Sequence, residues 1–175
     1  MNQFSYGILA IITACIIWGF VPVYYKLLTH VPPFELLAHR TIWSFLFFFV
    51  ILIYNGKLSE LWVPVFVSKE DRVFIMISAL LIAINWFFFI FAIQTNNATE
   101  ASLGYFIMPL VTVVWGLIIF KEKLSHTQWF AVSLATVAIL ILTVGLTSAP
   151  WIALTLALSF SFYAVVKKRI KISPM

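Results

Sequence analysis

The sequence predicts an all-α integral membrane protein with about six transmembrane helices, on three observations. Of 175 residues, 63% are hydrophobic and only 10% are charged, whereas soluble domains need roughly 25% charged residues to face water. The mean hydropathy is +1.08, and 18 phenylalanines imply an outer surface made for hydrocarbon. The apolar residues also fall into runs near the ~20 residues that carry a helix across a ~30 Å hydrocarbon core.

The runs are taken in order. Span 1 covers 6–28 and is interrupted by Pro22. A Val31-Pro32-Pro33 turn separates it from span 2, at 34–54. Residues 55–72 break the pattern with Asn55-Gly56 and with charges of both signs. Inside that loop, 61–67 is apolar but too short to cross, so an interfacial segment is expected. Span 3 is 73–93, with only Ser78 and Asn85 as polar members. Spans 4, 5 and 6 follow at 101–120, 128–146 and 150–166. Barrel strands are excluded because none of these runs alternates apolar and polar residues. In lipid, each segment must satisfy its own backbone groups, which leaves helices.

The net charge of +5 is a topology signal and no nucleic-acid footprint. One side receives Lys57, Lys69, Arg72, Lys121, Lys123, Lys167, Lys168, Arg169 and Lys171; the other receives only Lys26 and Arg40. Basic residues collect on the cytoplasmic face. The sequence therefore predicts a multi-pass protein of the cytoplasmic membrane with its amino terminus in the cytoplasm. Cys15 is the single cysteine, so no intramolecular disulfide forms. No cleavable signal peptide is evident, because residues 1–5 lack Lys and Arg and the first apolar run is too long.

Rise per residue places the unusual side chains in depth. Trp18 and Pro22 lie ~18 and ~24 Å from the start of span 1, and Asn85 ~18 Å up span 3. Arg40 and Pro109 lie ~10 and ~12 Å below the opposite boundary. Together they occupy a slab from the midplane outward, where transporters build solute sites beside interrupted helices. A charge within a span is costly and faces a bundle interior or water cavity, unless its stem snorkels to the headgroups. Arg40 admits both placements. Glu35 and His39, one turn apart on one face, join Arg40 in a small constellation.

Glu100 has two readings. With Asn97 it matches a capping-box spacing at the start of span 4, and it is also a candidate protonatable group. Pro22 and Pro109 are hinge candidates or simple packing elements. Trp18, Trp86, Tyr105 and Phe106 are candidate cavity aromatics, set against the many aromatics that merely pack or face lipid. Ala153, Ala157 and Ser161 form a small-residue stripe that permits close helix packing. Phosphate-loop, metal-ligand, nucleophile-elbow and intramembrane-protease patterns are absent from the sequence, so no cofactor, no metal and no enzymatic activity are expected.

Several segments resemble a known family. Lys121-Glu122-Lys123-Leu124-Ser125-His126-Thr127-Gln128-Trp129, leading into a small-residue-rich apolar helix, resembles the EamA signature. Ile17-Trp18-Gly19-Phe20 with Pro22, His39-Arg40-Thr41-Ile42-Trp43-Ser44, Asn85-Trp86 and Glu100-Ala101-Ser102-Leu103-Gly104-Tyr105-Phe106-Ile107 resemble RarD-type permeases. These are the chloramphenicol-sensitive branch of the drug/metabolite transporter superfamily. The resemblance covers nearly the whole chain and implies a ten-helix secondary carrier built from two inverted five-helix repeats. Residues 1–147 then form the first EamA repeat, and 150–175 hold the first helix of the second repeat and a basic tail. A shift of 145 residues gives a faint internal echo, pairing Leu9 with Leu154, Ala14 with Ser159, Trp18 with Tyr163, Gly19 with Ala164 and Lys26 with Lys171.

Two departures qualify the match. Met108 precedes Pro109 where the family pattern places Asn, which removes a polar side chain. The pattern also continues for about four more helices beyond Lys171-Ile172-Ser173-Pro174-Met175, so a truncated product is expected. The leading functional expectation is alternating-access transport of a small organic solute, with the bilayer as surroundings and no nucleic-acid partner. Arg40, Asn85, Tyr105 and Trp18 are candidate solute contacts. Glu35, His39 and Glu100 are candidates for proton coupling. The alternative is an inactive fragment or an accessory subunit whose missing helices come from a second chain.

Overall fold

The computed structural model describes residues 3–62, 68–144 and 150–170, with 3–5, 60 and 61 described by their backbone alone. Six α-helices run through them: α1 (Gln3–Leu27), α2 (Pro33–Tyr54), α3 (Lys69–Gln94), α4 (Ala98–Ile119), α5 (His126–Val144) and α6 (Trp151–Arg169). All six are long and apolar enough to cross a membrane. A 3₁₀ helix, Leu58–Trp62, follows α2. The expected interfacial segment 61–67 lies mostly outside the described residues, as do the end of span 5 and the tail beyond Ile170.

The helix ends follow local chemistry. Pro33 opens α2, where a missing N–H costs nothing and the fixed φ suits a helix. Asn55-Gly56 closes α2, with Gly56 at φ 67° and the Lys57 amide donating to the Leu52 carbonyl. That is a Schellman closure. α3 starts one turn before the expected apolar run, because the Ser68 hydroxyl accepts from the Asp71 amide at 3.1 Å and draws Lys69–Arg72 into the helix. α5 also starts early. Ser125 and Gln128 cap it reciprocally, at 2.8 and 3.3 Å.

The capping box expected at Asn97 and Glu100 does not form. Asn97 is the N-cap of α4, yet its side chain makes no capping bond. Its amide nitrogen donates instead to Thr95 Oγ1 at 3.0 Å, and its backbone N–H donates to the Ala92 carbonyl at 2.7 Å. With Asn96 at φ 64°, this is the Schellman end of α3. Closing one helix and opening the next on consecutive residues leaves Asn97 without the extended conformation that a side-chain cap needs.

α6 packs most extensively against α4 and α3, and the other neighbouring helices touch more lightly. The stripe Ala153, Ala157 and Ser161 is fully buried there. A methyl group on Gly104 of α4 would come within 2.9 Å of both the Ala153 carbonyl oxygen and the Leu156 Cβ. The α4–α6 contact is thus a close backbone approach, possible only because small residues face one another. Trp115 Nε1 donates to Ser161 Oγ at 3.3 Å near the basic end of that interface. The buried core, including Phe89, Ile90, Ala101, Ile152 and Leu156, lies around α6.

Candidate functional site

Arg40 organises the polar interior of α1–α3. Its guanidinium carbon lies 3.3 Å from the centroid of the Trp86 ring, a cation–π geometry. Trp18 of α1 stacks on Trp86 at 5.3 Å and 29°, so α1 and α2 both contribute to the Trp86 of α3. Phe89 meets Trp86 edge-on at 5.7 Å and also contacts Tyr25 and Tyr105. Tyr25 and Arg40 line the same cavity. The half-buried guanidinium therefore sits in an aromatic surround drawn from α1, α3 and α4.

Two cavities meet at Arg40. One, of 530 Å³, lies between α1 and α2 and is lined by Tyr24, Tyr25, Glu35, His39, Arg40 and Trp43 among others. The second, of 340 Å³, lies between α2 and α3 and is lined by Arg40, Thr41, Ala79, Ile82 and Trp86 among others. Ser44 borders both. These volumes fall within the range of small-molecule sites. Glu35 Oε1 and His39 Nε2 are 3.9 Å apart on the wall of the larger cavity, at the i, i+4 spacing read from the sequence. Among the described residues no carboxylate pairs with Arg40.

The other candidates lie elsewhere. Asn85 is 1% exposed and turns toward α6, donating to the Leu156 carbonyl at 3.0 Å and to Ser159 Oγ at 3.1 Å. Its amide nitrogen ties α3 to α6 and is spent there. Glu100, 6% exposed, is buried in the first turn of α4, and its Oε2 has no hydrogen-bond partner. It does not line the Arg40 cavities. Pro22 borders a separate 350 Å³ cavity with Lys26, Ile93 and Asn96, and Pro109 is exposed along α4. Both helices continue through their prolines.

Sequence reasoning missed the stitching beside the site. Gln94 Nε2 donates to the Leu28 carbonyl at 2.7 Å and to the Val31 carbonyl at 2.9 Å, fastening the α1–α2 connection to the end of α3. The Lys26 ammonium donates to Asn96 Oδ1 beside it. The signal was present, because Gln94 is a polar residue ending an apolar run. Its partners are backbone carbonyls more than sixty residues away, which no local pattern names.

Comparison with known proteins places the chain. The model of the EamA-like transporter family matches residues 5–144. The chain is 41% identical over 172 residues to protein RarD of Escherichia coli, covering 98% of this chain and 57% of that protein. It is 39% identical over 165 residues to the uncharacterized transporter YojE of Bacillus subtilis, covering 93% of this chain and 55% of that protein. A chloramphenicol-sensitive protein RarD of Pseudomonas aeruginosa is 27% identical over 173 residues, at 97% and 58% coverage. The chain thus spans somewhat more than half the length of these relatives. No solved structure matches it. With six membrane-crossing helices and a family match over most of its length, the chain is a multi-pass member of the EamA-like transporter family, which is a transporter and not an enzyme family.

Proposed function

We propose that the chain is the solute-binding part of a secondary carrier that moves a small organic solute by alternating access, with its basic end in the cytoplasm. Arg40 carries the proposal: a permanent charge within a span, held on an aromatic face beside a 530 Å³ cavity, with no carboxylate among the described residues paired with it. A charge is retained at such a cost where it faces a water cavity and serves a ligand. Trp18 acts through Trp86 by fixing the ring on which the guanidinium rests, and Tyr105 borders the same surround. Glu35 and His39 on the cavity wall are the groups best placed to exchange protons with a solute. Glu100 would act separately as an unpaired buried carboxylate. Pro22 and Pro109 would let α1 and α4 flex, since each removes one backbone hydrogen bond. Asn85 is proposed to hold helices together and not to touch solute.

The test is uptake into proteoliposomes together with a broad ligand screen that reads thermal unfolding. The carrier reading predicts at least one solute that raises the unfolding midpoint and is accumulated. It fails if no solute does either in the chain or in a longer relative measured in parallel. Arg40→Ala should abolish accumulation, and unchanged transport would remove Arg40 from the site.

A further inference from the structure

The solute's charge follows from what surrounds Arg40, granted the carrier reading above. We infer that the site takes an organic monoanion, bound through one carboxylate to the Arg40 guanidinium, with its apolar body against the aromatic wall. Guanidinium stays protonated in proteins and presents five N–H donors in one plane. The Trp86 ring at 3.3 Å covers one face of that plane. A cation–π contact uses the face and leaves the in-plane donors free. None of them makes a hydrogen bond or ion pair with the described residues. The guanidinium edge therefore has the charge, the donors and the adjoining space to accept a two-oxygen anion.

The number of charges follows from the rest of the wall. The larger cavity offers one permanent cation, Arg40, and one acidic side chain, Glu35. A dianion would bring a second negative charge into a chamber that already carries an acid and holds no second Lys or Arg. A neutral solute would leave the guanidinium within the span uncompensated. The rings of Tyr24, Tyr25 and Trp43 on the same wall suit an apolar body. A lipid phosphodiester shares the single negative charge, and its source is the bilayer instead of the solution.

A charge series at constant size tests this. The full chain in phosphatidylcholine nanodiscs is titrated with cyclohexanecarboxylate, cyclohexanecarboxamide, cyclohexylmethylammonium and cyclohexane-1,4-dicarboxylate, reading tryptophan fluorescence. The carboxylate should bind roughly tenfold or more tighter than the amide, the amine and the dicarboxylate, which is the scale of a charge-assisted hydrogen bond. Arg40→Gln should erase that preference, and Arg40→Lys should keep part of it. Amide or amine binding equal to the carboxylate overturns the charge inference and leaves the carrier reading standing, as does a preference that survives Arg40→Gln in folded protein. Binding of none of the four overturns the inference and the solute chamber together. Discs containing phosphatidylglycerol supply the last arm. If that lipid competes away the carboxylate in wild type but not in Arg40→Lys or Arg40→Gln, the anion is a lipid phosphate and the proposal falls.

Discussion

The helices α1 and α6 stand 145 residues apart in register and echo one another in sequence, yet their surroundings are opposite. α1 is the more apolar, and none of its most apolar stretch is buried; α6 is the least apolar of the six, and nearly half of its stretch is buried. In water that order would be reversed, because burial follows hydrophobicity there. In a bilayer the exposed surface faces hydrocarbon, so apolar bulk goes outward. The interior goes to residues that pack closely or hydrogen-bond. Ala153, Ala157, Ser159 and Ser161 are such residues. α1 contributes to the molecule mainly through two side chains, Tyr25 in the core and Trp18 on Trp86.

The contrast breaks most sharply at glycine. Gly104→Leu should cost about 3 kcal/mol, since the new side chain must enter the backbone of α6. Gly7→Leu on α1, where nothing lies within 4 Å, should change stability by less than about 0.5 kcal/mol. Equilibrium unfolding in mixed micelles measures both, and equal costs would dissolve the distinction between the helices.

Polar groups give the next largest difference. Asn85→Ala removes two hydrogen bonds to α6 and should cost about 1 kcal/mol, the scale of interhelical hydrogen bonds in membranes. Thr13→Ala on α1 removes only a bond to the Leu9 carbonyl of the same helix and should be nearly neutral. The same unfolding measurement checks the pair; a costly Thr13→Ala would mean that α1 has a buried face.

Trp18→Ala sharpens the comparison further, because it should separate stability from binding. Loss of the stacked pair costs about 1 kcal/mol, while the Trp86 ring loses its backing and Arg40 its fixed position. Solute affinity should therefore fall beyond what the stability change explains, read by titration at a temperature where the variant is fully folded. The smallest effect belongs to the basic end of α6. Lys168 Nζ lies 3.5 Å from Glu122 Oε1 with both side chains more than half exposed, so Lys168→Ala should cost about 0.5 kcal/mol or less and lose even that in high salt. A larger, salt-insensitive cost would show that Lys168 acts through the Phe120 ring, 4.0 Å away, more than through Glu122.

Much of the candidate site was legible in one dimension and little of it in three. Arg40 announced itself as a charge inside a span, and the Glu35–His39 pair followed from helical spacing. Trp18, Arg40 and Trp86 lie on three helices, and no periodicity links them; only folding stacks them. Asn85 illustrates the converse. Its depth matched that of Arg40, but depth leaves rotation about the helix axis undefined, and the side chain faces α6. Glu100 fitted a local motif, and the backbone geometry of the Schellman turn before it removed the cap.

By itself the sequence determined the six crossings and their approximate limits, because the bilayer is a uniform solvent that reads hydropathy one segment at a time. It also determined which residues are costly to place there. Only the tertiary structure decided which helix is central and which polar groups are spent on packing. Between helices in lipid there is no hydrophobic gradient to read, so those outcomes rest on shape, close backbone approach and a few hydrogen bonds between residues far apart in the chain.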